Sequence, residues 1–260
     1  MDIKELYDLY LQHPCITTDS RNCPKDSIFL ALKGASFDGN KFAKAALEKG
    51  CAYAIIDEPA YAEADNDRLI LVDDCLKTFK EIAREHRRSF QIPVIGITGT
   101  NGKTTTKEMI SLALSAQKKV YKTPANQNSQ VGVPKTVLES DLSADVIVIE
   151  MGISEFSEMH RISEIVKADV AVVNNIGVAH IQNFGSRESI RDEKLHIIDG
   201  MKEGAKLFLN AEDDMLAGAK LSKKMDVEYF AMSDTGLSKN YASHIELVNS
   251  CPQFIAHIGG

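Results

Sequence analysis

Residues 94–106, VIGITGTNGKTTT, constrain this chain more than any other stretch, because they join a buried strand to a tight turn and a helix start. Val94, Ile95 and Ile97 form a short apolar run of the kind that lies inside a parallel sheet. Gly99 and Gly102 let the backbone fold tightly with its N–H groups turned inward, and Lys103 with Thr104 opens a helix whose N-terminal dipole favours an anion. A nucleoside triphosphate fits such a turn, with N–H groups around the phosphates, Lys103 on the β/γ oxygens and the Thr104 hydroxyl on Mg²⁺. The strict form of the pattern has a glycine where this chain has Ile97, with glycines at 96, 99 and 102 instead. The match is therefore to a variant. The alternative is a glycine-rich strand-to-helix turn without a ligand, set against the demanding combination of Gly-Lys-Thr after an apolar strand.

From residue 94 onward strands and helices alternate, the signature of a parallel sheet with helices on both faces. Strands are predicted at 94–98, 119–122, 146–150, 170–174, 206–209 and 227–231, with an antiparallel pair at 242–248 and 253–258. Helices are predicted from the turn to about 116, at 155–166 and at 188–201, and an acidic helix start at Glu212-Asp213-Asp214. Before residue 92 a smaller α/β unit is expected: a helix stopped by Pro14, strands at 16–18, 27–32, 52–56 and 69–72, and helices at 41–49 and 75–90. Arg84, Arg87 and Arg88 at the end of that last helix read as a solvated face. The fold class is thus α/β, a small N-terminal unit (1–91) followed by a P-loop-type, mostly parallel sheet unit (92–260).

At 260 residues, 44% apolar and 26% charged, the chain has room for two cores and an ordinary globular composition. A net charge of −7 argues against coating nucleic acid or binding a membrane through a basic patch. Five cysteines without a C-x-x-C pair point to reduced thiols and the cytoplasm. No run reaches the length of a membrane span. The partners expected are small molecules, and the chain is expected to be a monomer. Its final Gly259-Gly260 promises a turn and a further element, so a truncated second unit and a missing third one are expected.

In an open parallel sheet, ligands gather at the carboxyl ends of the strands. Glu150 closes one strand, where a second Mg²⁺-directed group would sit opposite the turn, or where a carboxylate caps the next segment. Asn174 and Asn175 close another, and His180 lies just beyond; alone, a loop histidine is more often simply satisfied. Lys194 reads alone as an exposed helix lysine, and chemistry there would require a neutral amine that takes up CO₂ as a carbamate.

Taken jointly, these motifs resemble the Mur ligase family. GTNGKTT (99–105) is similar to that family's P-loop, which accounts for the displaced glycine. TPANQNSQVGVPKTVLE (123–139), IEMG (149–152) and NIGVAHIQNFGS (175–186) resemble the segments of those members that join D-alanyl-D-alanine to UDP-N-acetylmuramoyl-tripeptide. TDSR (18–21), SIFLALKG (27–34) and FDG (37–39) resemble the UDP-binding N-terminal domain. The resemblance implies an ADP-forming ligase of cell-wall precursor synthesis, serving cell shape and division. It implies ATP on Gly99, Thr100, Asn101, Gly102, Lys103, Thr104 and Thr105, and Mg²⁺ held by Thr104, Glu150, His180 and a carbamylated Lys194. Asn126 would contact the reacting groups, and Ser20, Arg21, Lys33, Gly34 and Asp38 the UDP substrate. Two positions depart from the pattern: Asn40 stands where a histidine is common, and His196 where an acid often follows the lysine. The rivals are a family member adding another amino acid, against which the Asn126 loop argues, and a binding-only fragment. A GTPase or kinase lacks support, since the Asn-Lys-X-Asp signature is absent.

Overall fold

The computed structural model describes residues 1–34 and 36–259, so Gly260 of the terminal pair lies outside the described residues. The chain forms two compact units, Met1–Gln91 with Val137–Glu139, and Ile92–Thr136 with Ser140 onward.

In the first unit, helix α1 (Ile3–Gln12) begins at a capping box in which Asp2 and Glu5 exchange side-chain and backbone bonds. Strands β1 (Ile16–Thr17) and β2 (Ile28–Leu30) follow, then a small hairpin of β3 (Lys33–Gly34) and β4 (Phe37–Asp38), helix α2 (Ala43–Glu48), strands β5 (Tyr53–Ile56) and β6 (Leu69–Leu71), and helix α3 (Cys75–Arg88). The four main strands pair in parallel in the order β1-β2-β5-β6. Ile28, Phe29, Leu30, Ile55 and Ile56 are fully buried, as expected of strands covered on both faces. Arg87 corrects the reading of a solvated basic tail. It is buried, donates to Phe90 O at 3.1 Å and lies 4.9 Å from the Phe90 ring centroid, since a guanidinium can stack on an aromatic face while its edge stays bonded.

The second unit runs β7 (Val94–Thr98), α4 (Lys103–Ser115), β8 (Val120–Lys122), α5 (Gly132–Leu138), β9 (Val146–Glu150), α6 (Glu158–Val166), β10 (Val170–Val173), α7 (Ile181–Phe184), α8 (Arg187–Leu195) with a 3-10 turn at His196–Ile198, and then β11 (Lys206–Asn210), β12 (Asp226–Ala231), β13 (Asn240–Val248) and β14 (Cys251–His257). Its sheet order is β14-β13-β12-β11-β10-β7-β9-β8, parallel except for the β13–β14 pair. Helices cover both faces. Ile110 and Leu114 of α4 pack on Ile97, Val148 and Val172. On the other face a Cβ at Gly96 would stand 3.1 Å from Met151 Sδ and 3.3 Å from Ala168 Cβ, so Gly96 serves close packing and leaves the turn to Gly99 and Gly102.

Two short helices escaped the periodicity. In α5, Pro134 sits in the first turn, where its missing N–H costs nothing, and Thr136 Oγ1 bonds back to Gly132 O at 2.9 Å. The four residues of α7 are too few for a periodic signal. The expected acidic helix at Glu212-Asp213-Asp214 is instead a turn. Asp213 Oδ1 accepts from Met215 and Leu216 N–H at 2.9 and 3.1 Å, a local alternative to helix bonding, while Oδ2 accepts from Ile176 N–H at 2.8 Å.

Candidate active site

Strand β7 lies between β9 and β10, and the chain leaves it for β8 on one side before returning to β10 on the other. Such a reversal of strand order opens a crevice at the strands' carboxyl ends. Register places Glu150 beside Ile97 and Val173 beside Thr98, so Glu150 and Asn174 flank the turn that starts at Gly99.

That turn is braced from the β10 side. Gly99 has φ +150° and Gly102 φ +76°, and a Cβ at Gly99 would stand 2.8 Å from Asn174 Cβ, so only glycine fits. Thr100 N–H donates to Asn175 O at 2.9 Å, Asn101 N–H to Asn175 Oδ1 at 2.9 Å, and Gly177 N–H to Thr100 Oγ1 at 2.8 Å. Asn174 Nδ2 donates to Thr106 Oγ1 at 2.9 Å, fixing the first turn of α4. Thr105 opens a separate groove on α4 with Glu108 and Met109.

Lys103 Nζ curls onto Gly99 O and Thr100 O at 2.9 and 3.0 Å, and burial lowers its pKa against the opposing charge of Glu150. Glu150 is 1% exposed. Its Oε2 accepts from Thr104 Oγ1 at 2.9 Å and its Oε1 from Asn128 Nδ2 at 2.7 Å. Behind it lies Lys107, also 1% exposed, donating to Thr123 O and Ala125 O at 2.9 and 3.2 Å with Glu150 Oε2 at 3.8 Å. Across the turn Lys194, 4% exposed, donates to Gly99 O at 3.1 Å. Burial, and next the positive charge of Lys103, push its pKa down to about 7.

Lys103, Lys194, Thr100, Asn128, Glu158 and His180 line one cleft of about 260 Å³. His180 is exposed and sits at φ +60°, a sparsely populated conformation for a residue with a Cβ. Asn126 is not among the residues lining the cleft; its side chain is exposed, and Asn128, two residues on, takes the bond to Glu150. Sequence reasoning also missed Lys107, Glu158 and Glu193. Lys107 had a signal: it lies one helical turn from Lys103 on α4, the face that meets Glu150. Glu158 had a local one, since it accepts from Ser154 N–H at 2.7 Å four residues earlier; Glu193 had none, since it accepts from Ser157 and Met159 N–H at 2.9 Å each, far away in sequence.

In the first unit, Lys33 Nζ meets Asp57 Oδ1 at 3.1 Å, and buried Asn40 bridges Asp38 Oδ1 at 2.8 Å and Asp57 Oδ1 at 2.9 Å. Asn40 thereby orders Lys33 and Asp38 beside the Gly34 hairpin. Ser20 O accepts from Lys49 Nζ at 2.7 Å, and Arg21 forms a fork on Asp19 at 2.9 and 3.0 Å.

Two family models match this sequence, the Mur ligase middle domain over residues 97–257 and the Mur ligase family catalytic domain over residues 14–87. The chain belongs to the Mur ligase family. Among similar curated Mur ligases, the UDP-N-acetylmuramoyl-tripeptide–D-alanyl-D-alanine ligase of Bacillus subtilis is 39% identical over 204 residues, 78% of this chain and 45% of the relative. That of Synechocystis is 36% identical, over 77% of this chain and 44% of the relative. Among solved structures, MurF of Acinetobacter baumannii matches with a TM-score of 0.83 at 30% identity, covering 94% of this chain and 53% of its own. MurF ligase from Thermotoga maritima, in complex with ADP, matches with a TM-score of 0.82 at 28% identity, covering 95% and 58%. The chain spans about half the length of the curated Mur ligases it matches.

Proposed function

We propose that this chain carries the UDP-substrate unit and the ATP unit of a ligase that joins D-alanyl-D-alanine to UDP-N-acetylmuramoyl-tripeptide in the cytoplasm. The observation that carries the reading is the glycine turn, where Lys103 and Lys194 both donate to Gly99 O while exposed Thr104 donates its hydroxyl to buried Glu150. In this reaction the tripeptide carboxylate takes the γ-phosphoryl group of ATP, giving an acyl phosphate and ADP. The amine of the dipeptide then attacks the acyl carbon, and phosphate leaves as the amide forms.

Both reactants of the first step are anions, so the site must neutralise charge before it can do chemistry. Gly99 to Thr105 would cradle the phosphates, and Lys103 would exchange its two carbonyl partners for phosphate oxygens. The donor set fits Mg²⁺: a hydroxyl and a carboxylate already 2.9 Å apart, both hard oxygen donors, beside the cleft that exposed His180 lines with Lys103. When bound, Mg²⁺ supplies charge neutralisation between carboxylate and triphosphate. Lys194 fits a carbamate because an amine with a pKa near 7 is substantially neutral at physiological pH; CO₂ adds to the nitrogen, a proton leaves, and a cation becomes an oxygen ligand. Asn126, exposed on its loop, is assigned a contact to substrate rather than to the fold. Ser20, Arg21, Lys33, Gly34 and Asp38 are assigned to the UDP substrate.

The test is ADP release by the protein with UDP-muramyl-tripeptide and each acceptor. Multiple-turnover ADP release should require D-Ala-D-Ala, and Glu150→Gln should slow it on the order of a hundredfold to a thousandfold. ADP formation with a third-position amino acid, and none with the dipeptide, would overturn the reading. A binding-only role is the second reading, favoured by the chain spanning about half its relatives; tight UDP-substrate and ATP binding without turnover would establish it.

A further inference from the structure

One polar cluster takes no part in the cleft. His160 lies on α6, while His196 and Asp199 belong to the 3-10 turn that follows α8. His160 Nδ1 stands 2.7 Å from Asp199 Oδ2, and His196 Nδ1 stands 2.8 Å from the same oxygen. One ligand atom from each of the three lies within 4.8 Å of the others. Neither histidine is buried, so the cluster opens to solvent. None of the three residues lines the cleft.

The two elements are held together before any ion arrives. A Cβ at Gly200 would stand 2.0 Å from Ser163 O, so only glycine allows the turn to approach α6 this closely. Lys223 Nζ ties the turn from behind, donating to Asp199 O at 3.2 Å. Glu193, one turn earlier, caps the backbone of α6 through Ser157 and Met159. Side chains on such a braced pair of elements lose little freedom when they converge on a ligand.

Two imidazole nitrogens and a carboxylate oxygen form a borderline donor set, suited to zinc and its neighbours rather than to Mg²⁺. Ligand atoms about 2.0–2.1 Å from a tetrahedral Zn²⁺ lie roughly 3.3 Å from one another, so the two N···O distances need open by only about half an ångström. We propose that His160, His196 and Asp199 bind a divalent transition-metal ion of the zinc type, with a fourth position left to water. The ion staples α6 to the turn behind α8, the helix that carries Lys194.

Co²⁺ titration of the chelator-stripped protein tests this directly. The expected result is one equivalent bound, with the visible absorption of four-coordinate Co²⁺, displaced by Zn²⁺ and untouched by Mg²⁺. Zn²⁺ at a hundredfold over its dissociation constant should raise Tm by about 3–5 °C. His160→Gln and His196→Gln should each weaken binding more than tenfold, whereas Glu150→Gln and a Cys15→Ser/Cys251→Ser double variant should keep it. No absorption, or binding unchanged in both histidine variants, overturns the proposal and leaves a hydrogen-bonded pair of histidines on an aspartate. Loss of binding in the cysteine variant also overturns it, placing the ion on the exposed thiols. Should a histidine variant unfold, diethyl pyrocarbonate labelling of the unaltered protein decides: Zn²⁺ must protect His160 and His196 and Mg²⁺ must not.

Discussion

The two walls of the cleft each bury a lysine, and the two lysines are treated in opposite ways. On the α4 wall, Lys107 donates to two backbone carbonyls and faces Glu150 and Glu108. It therefore stabilises the buried carboxylate that Thr104 and Asn128 also reach. On the α8 wall, Lys194 has a carbonyl at 3.1 Å, and the ammonium of Lys103 outweighs the opposing carboxylate of Glu193. Equal burial therefore has unequal consequences, because partners rather than depth decide the state of a buried amine. On α4 the buried amine adds to stability; on α8 it carries a cost to stability.

The sharpest way to break this contrast is to remove each lysine. Lys107→Met should destabilise the fold by about 3–5 kcal/mol, since it leaves Glu150 buried without its cation, as read from urea denaturation. Lys194→Met should do the reverse, raising stability at pH 7 on the order of 3 kcal/mol and, on the carbamate role proposed for it, abolishing turnover. A loss of stability in both variants would erase the distinction between the walls.

The sign of the second effect has its own pH signature. The folded-state pKa of Lys194, about 7, lies below the ordinary 10.5, so between those values the unfolded chain binds the extra proton. Stability of the unaltered protein should then rise with pH relative to Lys194→Met across that window. The advantage of Lys194→Met should be full below pH 7 and gone near pH 10.5. Paired denaturation curves across the range check this.

The smallest effects separate the two asparagines of the loop after β8. Asn128→Ala removes a donor from buried Glu150 Oε1 and should cost about 1–3 kcal/mol. Asn126→Ala truncates an exposed side chain and should change stability by less than about 0.5 kcal/mol. Its effect should appear instead in the Michaelis constant or turnover, if the substrate contact assigned to it holds.

Much of this was legible beforehand where the signal is local. The strands at Val94–Thr98, Val146–Glu150 and Val170–Val173 are apolar runs that only a doubly covered sheet accommodates. The glycine turn reads directly because its conformation excludes other residues. Arg87 failed as a reading because helical spacing does not tell whether a guanidinium finds a ring to stack on. The acidic run at 212–214 failed because an aspartate that caps its own turn looks, in sequence, like one that begins a helix.

The sequence by itself determined the main strands and the longer helices, the glycine turn, and the polar residues that close the strands. All of these follow from contacts within a few residues, or from the steric limits of glycine. The tertiary structure alone decided which of those polar groups meet. It set Thr104 on Glu150, placed Asn128 there rather than Asn126, and lodged Lys194 beside Lys103. The crossing of β7 between β9 and β10 brings these distant residues to one rim, and burial there sets their charges. Neither the crossing nor the burial has a trace in the spacing of residues along the chain.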